Sequence, residues 1–251
     1  MFILLAAWLY FTGFFIISFM KKDISFIDVG WGPAFSWLVL AGILLGPYEP
    51  GQLQVLVASL VFAWSLRLAW YLHGRNKAKG EDPRYKELAK DWKGNYWVNA
   101  YFRVFMVQMI LCLLGALPIF LVISAPPASL TVTAVIGGVM AILGLGIESI
   151  ADLQMAKFQK TTPRTSKFCR LGLWQYSRHP NYFGELVFWF GVAVASLSVS
   201  YGFLGLIGPL TLTVLLLKVS GVPMIEEKYR SHPEWDKYES ETRVLLPLPK
   251  Y

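Results

Sequence analysis

Two cysteines and three histidines in 251 residues leave little material for the commonest kinds of built site. Cys112 sits inside an apolar run and Cys169 in a basic loop, which excludes a disulfide framework and a cysteine metal site. His73, His179 and His232 are far apart in sequence and form no ligand motif, so no metal is expected. Charge is scarce as well: 16% of residues are Asp, Glu, Lys or Arg against 55% hydrophobic. With a mean hydropathy of +0.49, an ordinary water-soluble domain is excluded. Internal repeats, low-complexity tracts and a separate soluble domain are also lacking. The formal charge of +7 would suggest a nucleic-acid partner in a soluble chain, but here the cations collect in a few loops between apolar runs. They read as membrane topology first and an anion site second, with no nucleic acid expected.

What the chain has in quantity is apolar runs near the ~20 residues that a bilayer requires. They cover residues 1–20, then about 31–47, 53–72, 97–124, 131–151, 182–198 and 203–219. The first lacks a clear small-residue cleavage site and reads as an uncleaved helix. The expected fold is therefore all-α, a polytopic membrane protein with seven transmembrane helices forming a single domain over residues 1–251. Lysine and arginine support the count, because they alternate. Lys21 and Lys22 follow the first run, seven cations from Arg75 to Lys93 the third, Lys157 to Arg178 the fifth, and Lys228 to Lys250 the seventh. The connections between, 46–52, 125–130 and 199–202, contain none. The loops at about 74–96 and 152–181 and the tail at about 220–251 are expected to be cytoplasmic, with the N-terminus on the other side. Gly42, Gly46, Gly137, Gly138, Gly144 and Gly146 read as close helix packing with no chemistry implied.

Carboxylates close to hydrocarbon are expensive and are functional candidates for that reason. The stretch Leu171-Gly-Leu-Trp-Gln-Tyr-Ser-Arg-His-Pro-Asn-Tyr-Phe-Gly-Glu185 runs from a basic loop into an apolar helix, with His179-Pro180 as the helix-start signal. Asn181 and Glu185 are four apart and share a face. With Arg178, His179 and the free helix-start N–H groups they could hold a phosphate, ribose or amide, or serve as no more than a cap. Glu148 and Asp152, also four apart, are expected at the cytoplasmic end of the fifth helix. There they oppose the helix dipole and call for an external partner, or for loop cations such as Lys157 or Arg164. Asp28 opens the second run and reads equally as an N-cap. Arg67 lies within the third run and reads as interfacial, its head reaching toward the loop. Glu81, Asp82 and Arg84 read as a structured turn able to close over a ligand. The polar groups gather on the cytoplasmic side and the rest is apolar and aromatic. That division suits a nucleotide-type cofactor from the cytoplasm and a lipid-like molecule from the bilayer.

Glu148-xxx-Asp152-x-Gln154-xxx-Phe158, Gly172-Leu-Trp-x-Tyr-Ser-Arg-His-Pro-Asn-Tyr-Phe-Gly-Glu185, Ser220-Gly-Val-Pro223 and Gly80-Glu-Asp-Pro-Arg-Tyr85 together resemble the bacterial branch of the steroid 5α-reductase family over nearly the whole chain. The Arg-His-Pro-Asn-Tyr segment is shared with intramembrane sterol reductases and isoprenylcysteine-type carboxyl methyltransferases. Glu185 and the acids at 148 and 152 favour the reductases. The resemblance implies an inner-membrane enzyme that binds NADPH and reduces the C=C bond of a 3-oxo-Δ4 steroid or similar hydrophobic enone, with membrane lipid around it. Asn181 and Glu185 match the residues that contact the nicotinamide end, and Asp152 matches the cofactor-binding Asp. Glu148 stands where the animal enzymes have Asn. Arg178, His179 and Tyr182 would line the pyrophosphate or ribose, Tyr238 and Arg243 would close the pocket, and Lys157, Arg164 or Arg170 would read a 2′-phosphate. For the catalytic pair the nearest candidates are Asp28, with no preceding Gln, and Tyr71, which does not align cleanly with the family's Tyr.

Two other readings are carried forward. Glu226-Glu227-x-Tyr229, Tyr238 and Val244-Leu-Leu-Pro247 also resemble the tail of membrane methyltransferases that use S-adenosylmethionine. A non-catalytic lipid-binding or transport protein is the third possibility. It is disfavoured because polar residues at mid-depth are almost missing.

Overall fold

The computed structural model describes residues 2–76, 82–161 and 168–250. In chain order the helices are α1 (Phe2–Lys21), α2 (Ile27–Leu45), α3 (Gln52–Asn76), α4 (Pro83–Ala89), α5 (Tyr96–Ala100), α6 (Met106–Gly115), α7 (Leu117–Ile123), α8 (Val132–Thr161), α9 (Pro180–Ser196), α10 (Ile207–Val214), α11 (Val222–Glu226) and α12 (Trp235–Glu241). A 3₁₀ turn, Ile24–Phe26, leads into α2, and π-helical turns at Tyr101–Phe105 and Leu215–Val219 adjoin α6 and α10. Among the described residues there is no strand, only a single bridge between Ser177 and Arg243.

The protein is all-α and multi-pass. Among the described residues six helical stretches are long and apolar enough to cross a membrane: Phe2–Lys21, Ile24–Leu45, Gln52–Leu72, Tyr96–Gly115, Val132–Thr161 and Gly202–Tyr229. The remaining expected run is α9, with 17 residues. At 1.5 Å per residue it reaches about 25 Å, short of the ~30 Å hydrocarbon thickness. Most of α9 from Leu186 to Ser196 is buried, so it is an inner helix enclosed by others. Ser196 ends it by donating to the carbonyls of Ala193 and Gly202 at 2.7 and 2.8 Å.

Three boundaries differ from the sequence expectation. The fourth run is not one helix, because the chain breaks at Ala116 (ψ 1°) ahead of Pro118, dividing α6 from α7. The second helix starts at Ile27, not near Trp31, with Pro33 carried inside it. Asp28 is accordingly a first-turn residue, and the local cap is Asp23, which accepts from the Ser25 amide at 2.9 Å. The fifth helix runs to Thr161, 30 residues in all, well past the hydrocarbon. Glu148 and Asp152 are therefore not at a helix C-terminus, and the dipole argument for an external partner does not hold.

Glycine decides how α8 and α9 meet. The pair is antiparallel with Gly137 and Gly144 facing Gly191 and Gly184, each set seven residues apart, so the same face recurs every two turns. A Cβ on Gly144 would lie 2.3 Å from the Phe188 nitrogen and 2.6 Å from the Gly184 oxygen; one on Gly184 would lie 2.4 Å from the Glu148 nitrogen. No side chain fits, and the two backbones touch. That register sets Gly184 against Glu148, so Glu185 and Asn181 lie alongside Glu148 and Asp152.

Beside this contact lies the largest block of buried rings: Phe35 from α2, Trp64 from α3, and Phe188 and Trp189 from α9, all fully buried. Centroid separations run from 4.7 Å for Phe35–Trp189 to 5.7 Å for Trp64–Phe188. On the other flank Ser65 donates to the Gly32 carbonyl at 2.8 Å, fixing α3 against α2.

Gly184→Ala should lower the thermal midpoint of the detergent-purified protein, since a methyl group pressed on backbone costs ~1–3 kcal/mol. Gly146→Ala, whose Cβ meets nothing within 4 Å, should leave the midpoint unchanged or raise it by the ~0.5–1 kcal/mol of relieved helix entropy. A thermal unfolding series on the two variants checks both.

Candidate functional site

The polar centre is an ion cluster between α3, α8 and α9. Arg67 turns inward from α3 and meets both acids of α8: Nη1 donates to Asp152 Oδ2 at 2.5 Å, and Nη2 to Glu148 Oε1. The side chains of Glu148 and Asp152 are 4% and 7% exposed, that of Arg67 18%. Glu185, from α9, lies within electrostatic reach of Arg67, Glu148 and Asp152. Both acids thus share a cation from a distant helix, Arg67. Sequence reasoning read Arg67 as interfacial. The signal that could have found it was an arginine inside an apolar run in a chain with two acids at helical spacing elsewhere.

Magnitudes make this cluster a candidate for more than a structural role. Removing each ion from water costs several kcal/mol even after relaxation. One guanidinium returns roughly 4 kcal/mol per close pair at a moderate effective dielectric. Three carboxylates around one cation do not balance on those terms. Buried atoms without a hydrogen-bond partner include Arg67 Nε, Glu148 Oε2 and Asn181 Oδ1, and beside them the indole nitrogens of Trp64 and Trp189. Each orphaned group costs ~1–3 kcal/mol, more where it is charged. Groups that stabilise so little are candidates for holding a ligand.

The aromatic block continues the site into the bilayer. Trp64 is three residues before Arg67 on α3, and Trp189 four residues after Glu185 on α9. The rings therefore lie about one helical turn, ~5 Å, from the ions. An ion cluster and an apolar slab share one wall.

Asp28 belongs to a second constellation. Its Oδ2 accepts from Arg84 Nη2 at 2.7 Å and its Oδ1 from the Tyr85 hydroxyl at 2.5 Å, while Asp82 caps α4 through the Arg84 amide at 2.9 Å. Burial first, and the Asp28 carboxylate second, hold the Tyr85 hydroxyl well above the usual phenol range. The constellation docks α4 on the start of α2. Tyr71 is partly buried on α3, six residues past Ser65, whose bond to the Gly32 carbonyl fixes α3 against α2.

Arg178 and His179 form a third group, and it holds the tail. Arg178 Nε and Nη2 donate to the two oxygens of Glu226 at 2.7 and 3.3 Å, and Nη1 to the carbonyls of Thr242 and Glu239 at 2.8 and 3.2 Å. His179 Nε2 lies 2.9 Å from Glu226 Oε1, and its ring stacks on Tyr182 at 5.3 Å. Backbone bonds stitch the same segments: the Arg178 amide to the Arg243 carbonyl at 2.8 Å and the His179 amide to that of Val244 at 3.1 Å. All three guanidinium nitrogens of Arg178 are engaged inside the protein, so its place is behind the site wall. Tyr238 is buried against Phe168 at 4.5 Å, with the Arg170 guanidinium 5.4 Å from its ring. Arg243 Nε donates to the Pro249 carbonyl at 3.3 Å. Arg164 lies outside the described residues, as does Glu81.

An open groove of about 510 Å³ lies elsewhere, between Leu117–Ser124 and Ser198–Ser200, and no charged residue lines it. Chemistry, not volume, marks the site.

A family model described as "Protein of unknown function (DUF1295)" matches residues 14–242, including every described group above except the last part of the tail. The chain belongs to the DUF1295 family. None of the curated proteins and none of the solved structures matches it. The matched span takes in the Arg67 cluster, the Asp28 constellation and the Arg178–Glu226 pair, so the three polar groups fall within one DUF1295 unit.

Two outcomes test the site's framework. Arg178→Ala should destabilise by less than the ~3–5 kcal/mol of a fully unpaired buried charge, since it leaves the 13%-exposed Glu226 carboxylate with His179 as a partner; limited proteolysis should then cut the tail first. Burial pushes the Tyr238 hydroxyl from 10.0 up to about 12. A folded pKa above the unfolded one gives stability that is present below pH 10 and is lost as pH rises toward 12. Phenolate absorbance of wild type minus Tyr238→Phe should show that late titration.

Proposed function

We propose that this DUF1295 protein is a membrane reductase of the steroid 5α-reductase kind, using NADPH to reduce the C=C bond of a 3-oxo-Δ4 steroid or a comparable hydrophobic enone. The observation that carries the reading is the Arg67–Glu148–Asp152 cluster with Glu185 and Asn181 beside it. Three carboxylates around one guanidinium call for a ligand rich in hydrogen-bond donors, as ribose hydroxyls and a carboxamide are. The orphaned atoms of Arg67, Glu148 and Asn181 fit the same demand. Bound NADPH would supply a hydride.

The protein's own part is placement, dryness and charge stabilisation. Arg67 holds Glu148 and Asp152 in place, Asn181 and Glu185 add polar groups from the first turns of α9, and the rings of Phe35, Trp64 and Trp189 exclude water. Reduction of an enone builds negative charge on the carbonyl oxygen, which needs a donor pointed at it in a dry site. Tyr71 is the residue we assign to that donation. Asp28, with both oxygens engaged by Arg84 and Tyr85, is assigned to positioning the wall behind it. The steroid as substrate rests on the resemblance, the aromatic slab supporting only a flat apolar molecule. The alternating basic loops support an orientation with this end of the helices in the cytoplasm and the N-terminus outside, in the cell's inner membrane.

Detergent-purified protein given NADPH and a 3-oxo-Δ4 steroid should oxidise the cofactor and yield a product heavier by two hydrogens. Glu185→Ala should lose NADPH affinity by about tenfold or more, equivalent to at least 1.4 kcal/mol, while keeping its thermal midpoint. Unchanged affinity in that variant counts against the site. Binding of S-adenosylmethionine with none of NADPH would move the protein to the methyltransferases.

A further inference from the structure

The open groove at the far end of α9 has a chemistry of its own. Leu117, Phe120, Leu121 and Ser124 form one wall, and Ser198 to Ser200, just beyond α9, form the other. From Glu185 to Ser196 the helix rises roughly 17 Å, so the groove is separate from the ion cluster. No charged residue lines it, and the connections 125–130 and 199–202 contain none of either sign. Its polar character comes from hydroxyls. Ser198 lies 2.5 Å from Thr131 and 3.0 Å from Thr133, which are themselves 2.8 Å apart. Each hydroxyl carries one hydrogen and two lone pairs, so a closed triangle uses every hydrogen and leaves one lone pair on each oxygen. The Ala134 amide takes one of these, donating to Thr131 at 3.1 Å. The triangle is therefore rich in acceptors and short of donors.

Depth and charge together select an occupant. Because α9 is about 25 Å long against ~30 Å of hydrocarbon, it stops short of the membrane face opposite its start. The hydroxyls beyond it stand at the inner edge of the headgroup region, near the exposed Phe203 and Leu204. A phospholipid drawn into the groove would bring its phosphate against a wall without a cation, at the cost of desolvating an unpaired charge. An uncharged lipid ending in a hydroxyl brings the missing donor and no charge. Apolar contact with the groove does not decide between lipids, since surrounding acyl tails offer the same; the head does. A volume of about 510 Å³ suits a small amphiphile. We propose that this groove holds the head and upper chain of an uncharged, hydroxyl-headed lipid such as a diacylglycerol, its O–H donating to the Ser198–Thr131–Thr133 triangle. The site is independent of the cofactor reading.

The test is photolabelling of the full chain in phosphatidylcholine vesicles containing a diacylglycerol with a diazirine near the head, the labelled peptides being mapped by mass spectrometry. Label should concentrate in 117–128 and 198–200. Unlabelled diacylglycerol should compete about fivefold or more better than phosphatidylethanolamine or phosphatidylglycerol, the scale of one hydrogen bond gained and a charge left unburied. Leu121→Trp, which fills the groove from a partly exposed position, should cut the labelling by a similar factor. Leu143→Trp, on the exposed face of α8, should leave it unchanged. Should Leu121→Trp not fold, Ser198→Ala, which opens the hydroxyl triangle, should narrow the preference between heads in its place. Label spread evenly over the lipid-facing helices, competition by a phospholipid equal to that by diacylglycerol, or labelling undiminished in Leu121→Trp overturns the proposal.

Discussion

Glycines at 137, 144, 184 and 191 let α8 and α9 approach until backbone meets backbone, in a medium where helices gain nothing from hiding apolar surface. Lipid tails are as apolar as leucine, so association there depends on close contact and on polar groups that find partners. The contact has a consequence beyond adhesion. It fixes an antiparallel register in which Gly184 lies on the Glu148 backbone, and that register brings Glu185 and Asn181 beside Glu148 and Asp152. A bulkier residue at any of the four positions would separate the helices and disperse the acids.

Charge at this depth explains the rest of the arrangement. α3 contributes its arginine inward because two carboxylates on α8 leave it a better environment than the headgroup region, and the α2–α3 bond from Ser65 to Gly32 holds α3 at the right height. The Arg178–Glu226 pair works differently. It is closed on itself and on tail carbonyls, satisfied on every nitrogen, and therefore structural. The contrast between a saturated arginine and an unsaturated one separates framework from site within a single chain.

Much of this was legible in the sequence, for reasons that differ by residue. The apolar runs and alternating cations gave the all-α multi-pass architecture, because hydropathy over ~20 residues averages out local detail. The spacings of Glu148 with Asp152 and Asn181 with Glu185 gave shared faces, because helical periodicity is local. Three things were not legible. Arg67 needed a tertiary partner eighty residues away to tell inward from interfacial. The C-terminus of α8 was hidden because its last three turns are amphipathic and fall outside the apolar run, which misplaced the two acids relative to the helix end. That Arg178 and His179 hold the tail was hidden because the segment around Thr242 that engages them carries no periodic signal.

The central claim is that a cofactor is held where α3, α8 and α9 meet. Hydrogen exchange of the detergent-purified protein, followed by mass spectrometry with and without NADPH, tests that location directly. The expected result is slowed exchange in peptides spanning 64–72, 146–156 and 180–188, with little change around 117–128 and 198–202. Protection confined to the groove at 117–128 and 198–202, or saturation by NADPH with no change at the three helices, would contradict it.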